Sequence, residues 1–249
     1  MRRLIVISGA GLSVESGVRA FRADTASGKA MWDEYDLEEV CNIHAFRGNF
    51  YHKTHMFYNK RRVELGTVEP NLAHMRIAEW YKRFPGQVAN LTTNVDDLLE
   101  RAGVLEPSII HLHGYLPEIV IETEAGSPKE IVNVGYTEID PDDYGWCKPN
   151  VVFFGEMAPK YMDMYNLLDT LTANDMVIVV GCSNQVINFN WELFPKVRRG
   201  TKMVVVNPAV PYHEMEIYQD NGILVYRAGA VETFGNKHFI NMVEKFLEG

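Results

Sequence analysis

Apolar residues recur along the chain in short, mostly uninterrupted runs, separated by longer amphipathic stretches. Leu4–Ile7, Val88–Leu91, Ile109–Leu112, Val151–Phe154, Met176–Val180, Met203–Val206 and Ile223–Val225 are strand-length and rich in β-branched or large apolar side chains, which predicts strands. Several show no alternation. That is the pattern of strands covered on both faces of a parallel sheet. Asn71–Phe84, Val95–Ala102, Lys160–Leu171 and Lys237–Leu247 carry apolar side chains at helical spacing; in the last, Phe239, Ile240, Val243, Phe246 and Leu247 mark one face. Alternating strands and helices predict an α/β fold, a Rossmann-like, mostly parallel sheet with helices on both faces.

Two segments break this rhythm. From about 24 to 62 there is no clear strand, and the pattern is that of a helical insertion. From about 115 to 148 the chain is rich in Gly, Pro, Asp and Glu, with only the short apolar pieces Ile119–Ile121 and Ile131–Val134. These pieces are expected to pair as a hairpin across Gly126-Ser127-Pro128, with Tyr136, Tyr144 and Trp146 supplying buried area. The expectation is a single domain over 1–249 with a small subdomain split between the two segments.

Composition narrows the function. Of 249 residues, 47% are hydrophobic, which excludes a disordered chain. Lys plus Arg total 24 against 33 Asp plus Glu, and a net charge of −9 lacks the field that drives nucleic-acid binding. No apolar run approaches membrane-spanning length, and Leu4–Ile7 after Arg2 and Arg3 is shorter than a signal-peptide core. A cytoplasmic protein without nucleic-acid or membrane partners is predicted. Cys41, Cys147 and Cys182 form no C-x-x-C pair, which excludes a four-cysteine zinc site, and no metal is expected.

Candidate chemistry clusters where predicted strands end. The first strand runs into Ser8-Gly9-Ala10-Gly11-Leu12-Ser13, and glycines at a strand-to-helix turn let backbone approach a pyrophosphate. The dehydrogenase fingerprint fails, because position 14 is Val and no strand ends near Asp33. Thr92-Thr93-Asn94-Val95-Asp96 follows the second strand, where open α/β sheets bind ligands; capping of the next helix by Asn94 or Asp96 explains the same residues. His111-Leu112-His113-Gly114 closes a third strand. Residues two apart in a strand share a face, so both imidazoles are expected on one side. His113 is a candidate general base of near-neutral pKa, and His111 reads as structural.

In order and at matching distances these pieces resemble the sirtuin family. The run from Gly9 to Arg22, with Gly11, Ser13, Ser16, Gly17 and Phe21, resembles the signature GAGxSxxSGxxxFR; Thr92–Asp96 resembles TQN(I/V)D, and His113-Gly114 resembles HG. Val151–Glu156 resembles VVxFGE, Gly181-Cys182-Ser183 resembles GTS, and Val206-Asn207 resembles the family's terminal strand. The resemblance implies an NAD-dependent protein-lysine deacylase that releases nicotinamide and passes the acyl group to ADP-ribose. It implies catalytic roles for His113 as base, Asn94 at the ribose and Asp96 at the nicotinamide amide. It further implies cofactor contacts at Gly9, Ala10, Gly11, Ser13, Thr93, Gly181, Ser183, Asn207 and Ala230, a nicotinamide cover at Phe21 and loop ordering by Arg22. Phe154-Gly155-Glu156 would dock an acyl-lysine protein or peptide. Tyr58 and Arg61, three apart on a helix, look like the Tyr-x-x-Arg of sirtuins that remove acidic acyl groups.

The chain departs from the family pattern at four places. Thr93 replaces Gln, Arg19-Ala20 replaces Pro-Asp, Cys182 replaces Thr, and the two cysteine pairs expected between His113 and Val151 are absent. The same pocket used with water or another side chain as acceptor would make an NAD hydrolase or ADP-ribosyltransferase. A third reading is a sensor of NAD or ADP-ribose without turnover, which would have no need of a base beside the ribose.

Overall fold

The computed structural model describes residues 1–19, 35–122, 130–182 and 187–249. Among these, six strands form one parallel sheet: β1 (Arg3–Ser8), β2 (Val88–Thr92), β3 (Ile109–His111), β7 (Asp175–Val180), β8 (Lys202–Val206) and β9 (Leu224–Tyr226). Their order is β3-β2-β1-β7-β8-β9. The chain therefore winds outward from β1 in both directions, and the order reverses between β1 and β7. The expected α/β architecture is present.

The absence of alternation has a direct cause. Leu4 and Val6 of β1 face one layer with Ile178 and Val204, whereas Ile5 and Ile7 face the other with Val177 and Val205. Neither face meets water, so neither set of positions is polar. On the first face lie α4 (Leu72–Arg83), α5 (Leu98–Ala102), α10 (Ala230–Gly235) and α11 (Lys237–Glu248), the last burying Phe239, Val243, Phe246 and Leu247. On the second lie α6 (Tyr161–Asp169), α7 (Phe189–Glu192), α8 (Phe194–Val197) and α9 (Tyr212–Asp220).

The two irregular segments meet. Helices α1 (Leu37–Val40), α2 (Ile43–Arg47) and α3 (Tyr51–Gly66) pack through Phe46, Phe57 and Tyr58 against Leu116, Val151 and Phe153. Strand β4 (Gly114–Ile121) pairs antiparallel with β5 (Glu130–Asn133), matching Ile119 to Val132 and Val120 to Ile131 as the apolar pieces predict; Gly126-Ser127-Pro128 lies outside the described residues. A third strand, β6 (Cys147–Val151), pairs on the other side of β4. It corrects the expected strand Val151–Phe154: the ladder ends at Val151, and Phe154 makes only an isolated bridge to Asn42. Tyr136 is also corrected, being exposed with its hydroxyl donated to Asp97, whereas Tyr144 and Trp146 are half-buried against the small sheet and α2.

Among the described residues no group of three or more His, Cys, Asp or Glu gathers as a metal site. What surrounds Cys147 instead is His55 and Tyr51 of α3: His55 Nε2 lies 3.1 Å from the Cys147 carbonyl, and the Tyr51 hydroxyl accepts from the Cys147 N–H at 3.1 Å. Ile119 and Ile139 complete that small core. Among the described residues no helix is long and apolar enough to cross a membrane.

Candidate active site

Apart from Tyr58 and Arg61 on α3, the candidate groups among the described residues follow C-terminal strand ends. After β1 the chain turns at Gly9 into a short 3-10 turn, Ala10–Leu12, with the Gly9 N–H on Val180 O (3.0 Å) and the Gly11 N–H on Gly181 O (3.1 Å). The loops after β1 and β7 touch backbone to backbone. A Cβ on Gly11 would lie 2.6 Å from Gly181 Cα, and one on Gly181 would lie 2.4 Å from Gly11 Cα. Only glycine at both positions allows that approach, and it places half-buried backbone at the switch point of the sheet.

The loop after β2 leans onto the same place. Thr93 bonds Ser8 O through its N–H (2.9 Å) and its hydroxyl (3.2 Å), so the shorter side chain that replaces Gln is used to tie two strand ends together. Asn94 Nδ2 donates to Gly9 O and to Ser13 Oγ, both at 3.1 Å. Ser13 Oγ also lies 3.3 Å from His74 Nε2, and His74 Nδ1 accepts the Asn71 N–H in the box that caps α4. Because Nδ1 is an acceptor, the proton of this imidazole is on Nε2, which donates to Ser13. Burial keeps His74 neutral, with its pKa lowered to about 4. Ser13 thus accepts twice, and its own hydrogen goes to Asp96. Asp96 is buried and accepts the Leu98 N–H at 3.2 Å. Burial raises its pKa to about 6, against the opposing hydrogen bond from Ser13.

The two histidines of the third strand end separate. Strand β3 stops at His111, so His113 lies in the following turn and the two do not share a strand face, a correction to the expected arrangement. His111 bonds Asn94 O through Nδ1 (3.4 Å) and Glu100 through Nε2 (2.6 Å). Burial pulls its pKa down, but the Glu100 hydrogen bond and charge together outweigh burial and the net shift is upward. His113 Nδ1 lies 3.1 Å from Thr93 O. A carbonyl only accepts, so the Nδ1 of His113 carries the proton and Nε2 keeps its lone pair. Burial lowers the His113 pKa below the ordinary 6.5.

Gly114 sets that turn, with φ +91 and a would-be Cβ 2.1 Å from Asn150 O. Beyond β6, the Phe154 N–H donates to Cys41 O (2.7 Å), and Glu156 accepts the Phe153 N–H (2.7 Å) while pairing with Lys148 (2.9 Å). Phe154 itself is exposed and Gly155 has φ +84, so this edge presents an apolar side chain and bent backbone. At the far side of the sheet, Asn207 donates to Cys182 O (3.3 Å), and buried Ala230 opens α10, whose Val231 N–H is capped by Glu15 (2.8 Å). Cys182 is buried, which raises its thiol pKa to about 12 and leaves it protonated. Phe21, Arg22 and Ser183 lie outside the described residues. A separate cavity of about 710 Å³, bordered by Arg2, Lys202 and Phe246, opens at the opposite end of the sheet, away from all these groups.

A family model described as "Sir2 family" matches residues 9–188, from the first loop glycine to just beyond the strand end at Gly181. The chain belongs to the Sir2 family. It is 41% identical over 210 residues to a protein of Helicobacter hepaticus named NAD-dependent protein deacylase, covering 76% of this chain and 78% of that one. A protein of the same name from Campylobacter jejuni is 39% identical over 192 residues, covering 75% and 76%. Among solved structures, a Sir2 homologue variant in complex with ADP-ribose superposes with a TM-score of 0.78 at 27% identity, covering 99% of this chain and 93% of that one. A Sir2 homologue in complex with NAD superposes with a TM-score of 0.76 at 28% identity, covering 98% and 90%.

Within this Sir2 chain two neighbours of the candidate groups have no strand-end motif to reveal them. His74 is visible only as the fourth residue of Asn71-x-x-His74, a helix-capping pattern, and nothing local ties it to Ser13. Glu64 looks like an ordinary helix charge until its partners are seen.

Proposed function

We propose that this Sir2 family protein is an NAD-dependent protein-lysine deacylase acting on an acyl-lysine protein or peptide, with nicotinamide and O-acyl-ADP-ribose as products. The observation that carries the reading is His113: its Nδ1–H is held on Thr93 O, so a half-buried, neutral Nε2 remains as base at the edge where Asn94, Ser13 and Asp96 converge. The names of the relatives support the same activity.

The residues present fit NAD. Asn94 spends both amide hydrogens on Gly9 and Ser13, which leaves its carbonyl oxygen to accept from ribose hydroxyls. Bound NAD supplies an electrophilic ribose carbon and a nicotinamide leaving group. The N–H groups of Gly9, Gly11 and Gly181 are held by the Val180, Gly181 and Val206 carbonyls, so these glycines give the diphosphate close approach and Ala10 contacts it, with Asn207 and Ala230 toward the adenosine end. Asp96 faces the nicotinamide amide, Ser13 holds Asn94 and Asp96 in place, Thr93 ties their loop to Ser8, and Phe21, Arg22 and Ser183 keep the roles that the family motifs imply. His113 takes a proton at Nε2 from a ribose hydroxyl. Phe154-Gly155-Glu156 lines the peptide side, and Tyr58 with Arg61 lines the acyl end. In this reading residues 1–249 are one catalytic domain, the small lobe drawn from about 24–62 and 115–148 carries the acyl pocket, and no zinc is required.

Incubation with NAD, with and without an acyl-lysine peptide, followed by mass spectrometry, tests the proposal. O-acyl-ADP-ribose formed only with peptide is the expected result. Free ADP-ribose at the same rate in both would replace deacylation by NAD hydrolysis.

A further inference from the structure

Arg61 is expected to meet a carboxylate at the end of an acyl chain, and in the structure it already meets one. Glu64, one helical turn on, accepts from Arg61 Nη1 through Oε2 at 3.0 Å and from Arg19 Nη2 through Oε1 at 2.7 Å. Each oxygen serves one guanidinium. Arg61 also donates Nη2 to the Arg19 carbonyl at 3.3 Å, which fastens α3 to the loop two residues before Phe21. This is not an ordinary surface pair. The Arg61 side chain is only 11% exposed and Arg19 22%, while Glu64 is 37% exposed and has room to turn toward water. Tyr58 sits one turn before Arg61, its ring stacked on Phe153 with centroids 5.4 Å apart and its hydroxyl donated to Cys41 Sγ at 3.6 Å. Tyr58 therefore borders both Phe153, at the edge assigned to peptide, and the helix that carries Arg61 and Glu64.

Two guanidiniums share the Glu64 carboxylate. We propose that Glu64 is the positioning residue that sets acyl preference: it holds Arg61 as an internal carboxylate, and an acyl group with a carboxylate of its own must displace it. Neutral acyl groups face no such competition. The inference rests on the reading of Tyr58 and Arg61 as the acyl end of the pocket. The cost of displacement is moderated because Glu64 can pass to solvent while Arg19 remains beside it, so an acidic acyl group is disfavoured rather than excluded.

The test is Glu64→Gln, which keeps size and one accepting oxygen and removes the charge, assayed with NAD and paired acetyl-lysine and succinyl-lysine peptides of one sequence. The expected result is a KM for the succinyl peptide lowered by about fivefold or more, with the acetyl KM and both kcat values within about twofold of wild type. Glu64→Asp, which retains the charge, is expected to keep the wild-type succinyl-to-acetyl KM ratio. A helix-packing role alone would move both peptides together. Should Glu64→Gln fail to fold, Glu64→Ala carries the same comparison. An unchanged KM ratio in a folded, active variant overturns the role of Glu64 alone; absence of any deacylation by the wild type overturns it together with the deacylase reading.

Discussion

At His113 the decisive detail is which nitrogen is left over. Thr93 O takes the Nδ1 proton, so Nε2 is a base without any carboxylate behind it, and its basicity is tuned by burial. His113→Ala is expected to remove deacylation while NAD still binds, because the phosphate loop is built from other residues; turnover and NAD affinity measured on the same variant check this. His111→Ala should instead lose stability, since it strands Glu100, and should retain most of its turnover. The pH dependence follows from sign. A base works deprotonated, and lowering its pKa below 6.5 extends activity toward acid. The acid limb assigned to His113 is therefore expected below 6.5, and a limb at 7 or above would contradict the assignment.

Elements carry the next set of consequences. The turn that aims His113 depends on Gly114, where alanine would have to adopt φ +91 with its Cβ against Asn150 O. Gly114→Ala is expected to cost about 2 kcal/mol or more and to lower kcat with it, readable by urea denaturation and turnover together. Helices α3 and α4 each bury a neutral histidine: burial lowers His55 and His74 to about 4. Between pH 6.5 and 4 the unfolded chain binds these protons and the folded chain does not, so their stabilisation is full above 6.5 and is lost as pH falls toward 4. Asp96, raised to about 6 by burial, works in the opposite sense, because its folded form holds a proton that the unfolded chain releases above about 4. Two histidines outweigh one carboxyl. The protein is expected to be roughly 2 kcal/mol less stable at pH 5 than at pH 7, and a denaturation midpoint that rises on acidification would contradict this balance.

For the whole molecule, the reversal of strand order at β1 and β7 is what gathers the candidate groups. Gly9, Asn94, Gly181 and Asn207 are far apart in sequence and come from four loops, yet all leave the same edge of one sheet. The small lobe is joined to that edge through α3 and β6, with Phe46, Tyr58 and Phe153 packed between them. Its interior around Cys147 is filled by Ile119, Ile139 and the His55 and Tyr51 side chains. Packing of this kind needs no metal. The purified protein is accordingly expected to contain no stoichiometric zinc and to keep its melting temperature and activity after chelator treatment; elemental analysis and a thermal melt decide it.

The sequence by itself determined the large sheet and the places where it ends. Strands buried on both faces must be apolar at every position, and glycine or polar residues must follow where backbone bends at the edge, so both signals are local and strong. It also determined the β4–β5 pairing, since two apolar pieces separated by turn residues have one another as nearest partners. It did not mark β6, because Cys147-Lys-Pro-Asn-Val151 alternates in burial but carries a proline and one β-branched residue, too weak a strand signal without β4 beside it. It told the roles of His111 and His113 apart but not their placement, which differs by where the ladder stops and whether Glu100 or Thr93 O is in reach. The proton positions on His74 and Ser13, the hold of His55 on Cys147 and the grip of Glu64 on Arg19 all belong to tertiary structure alone. Each joins residues far apart in the chain or depends on such a contact, and hydrogen bonds are short-ranged, so their partners are chosen only once the layers have packed.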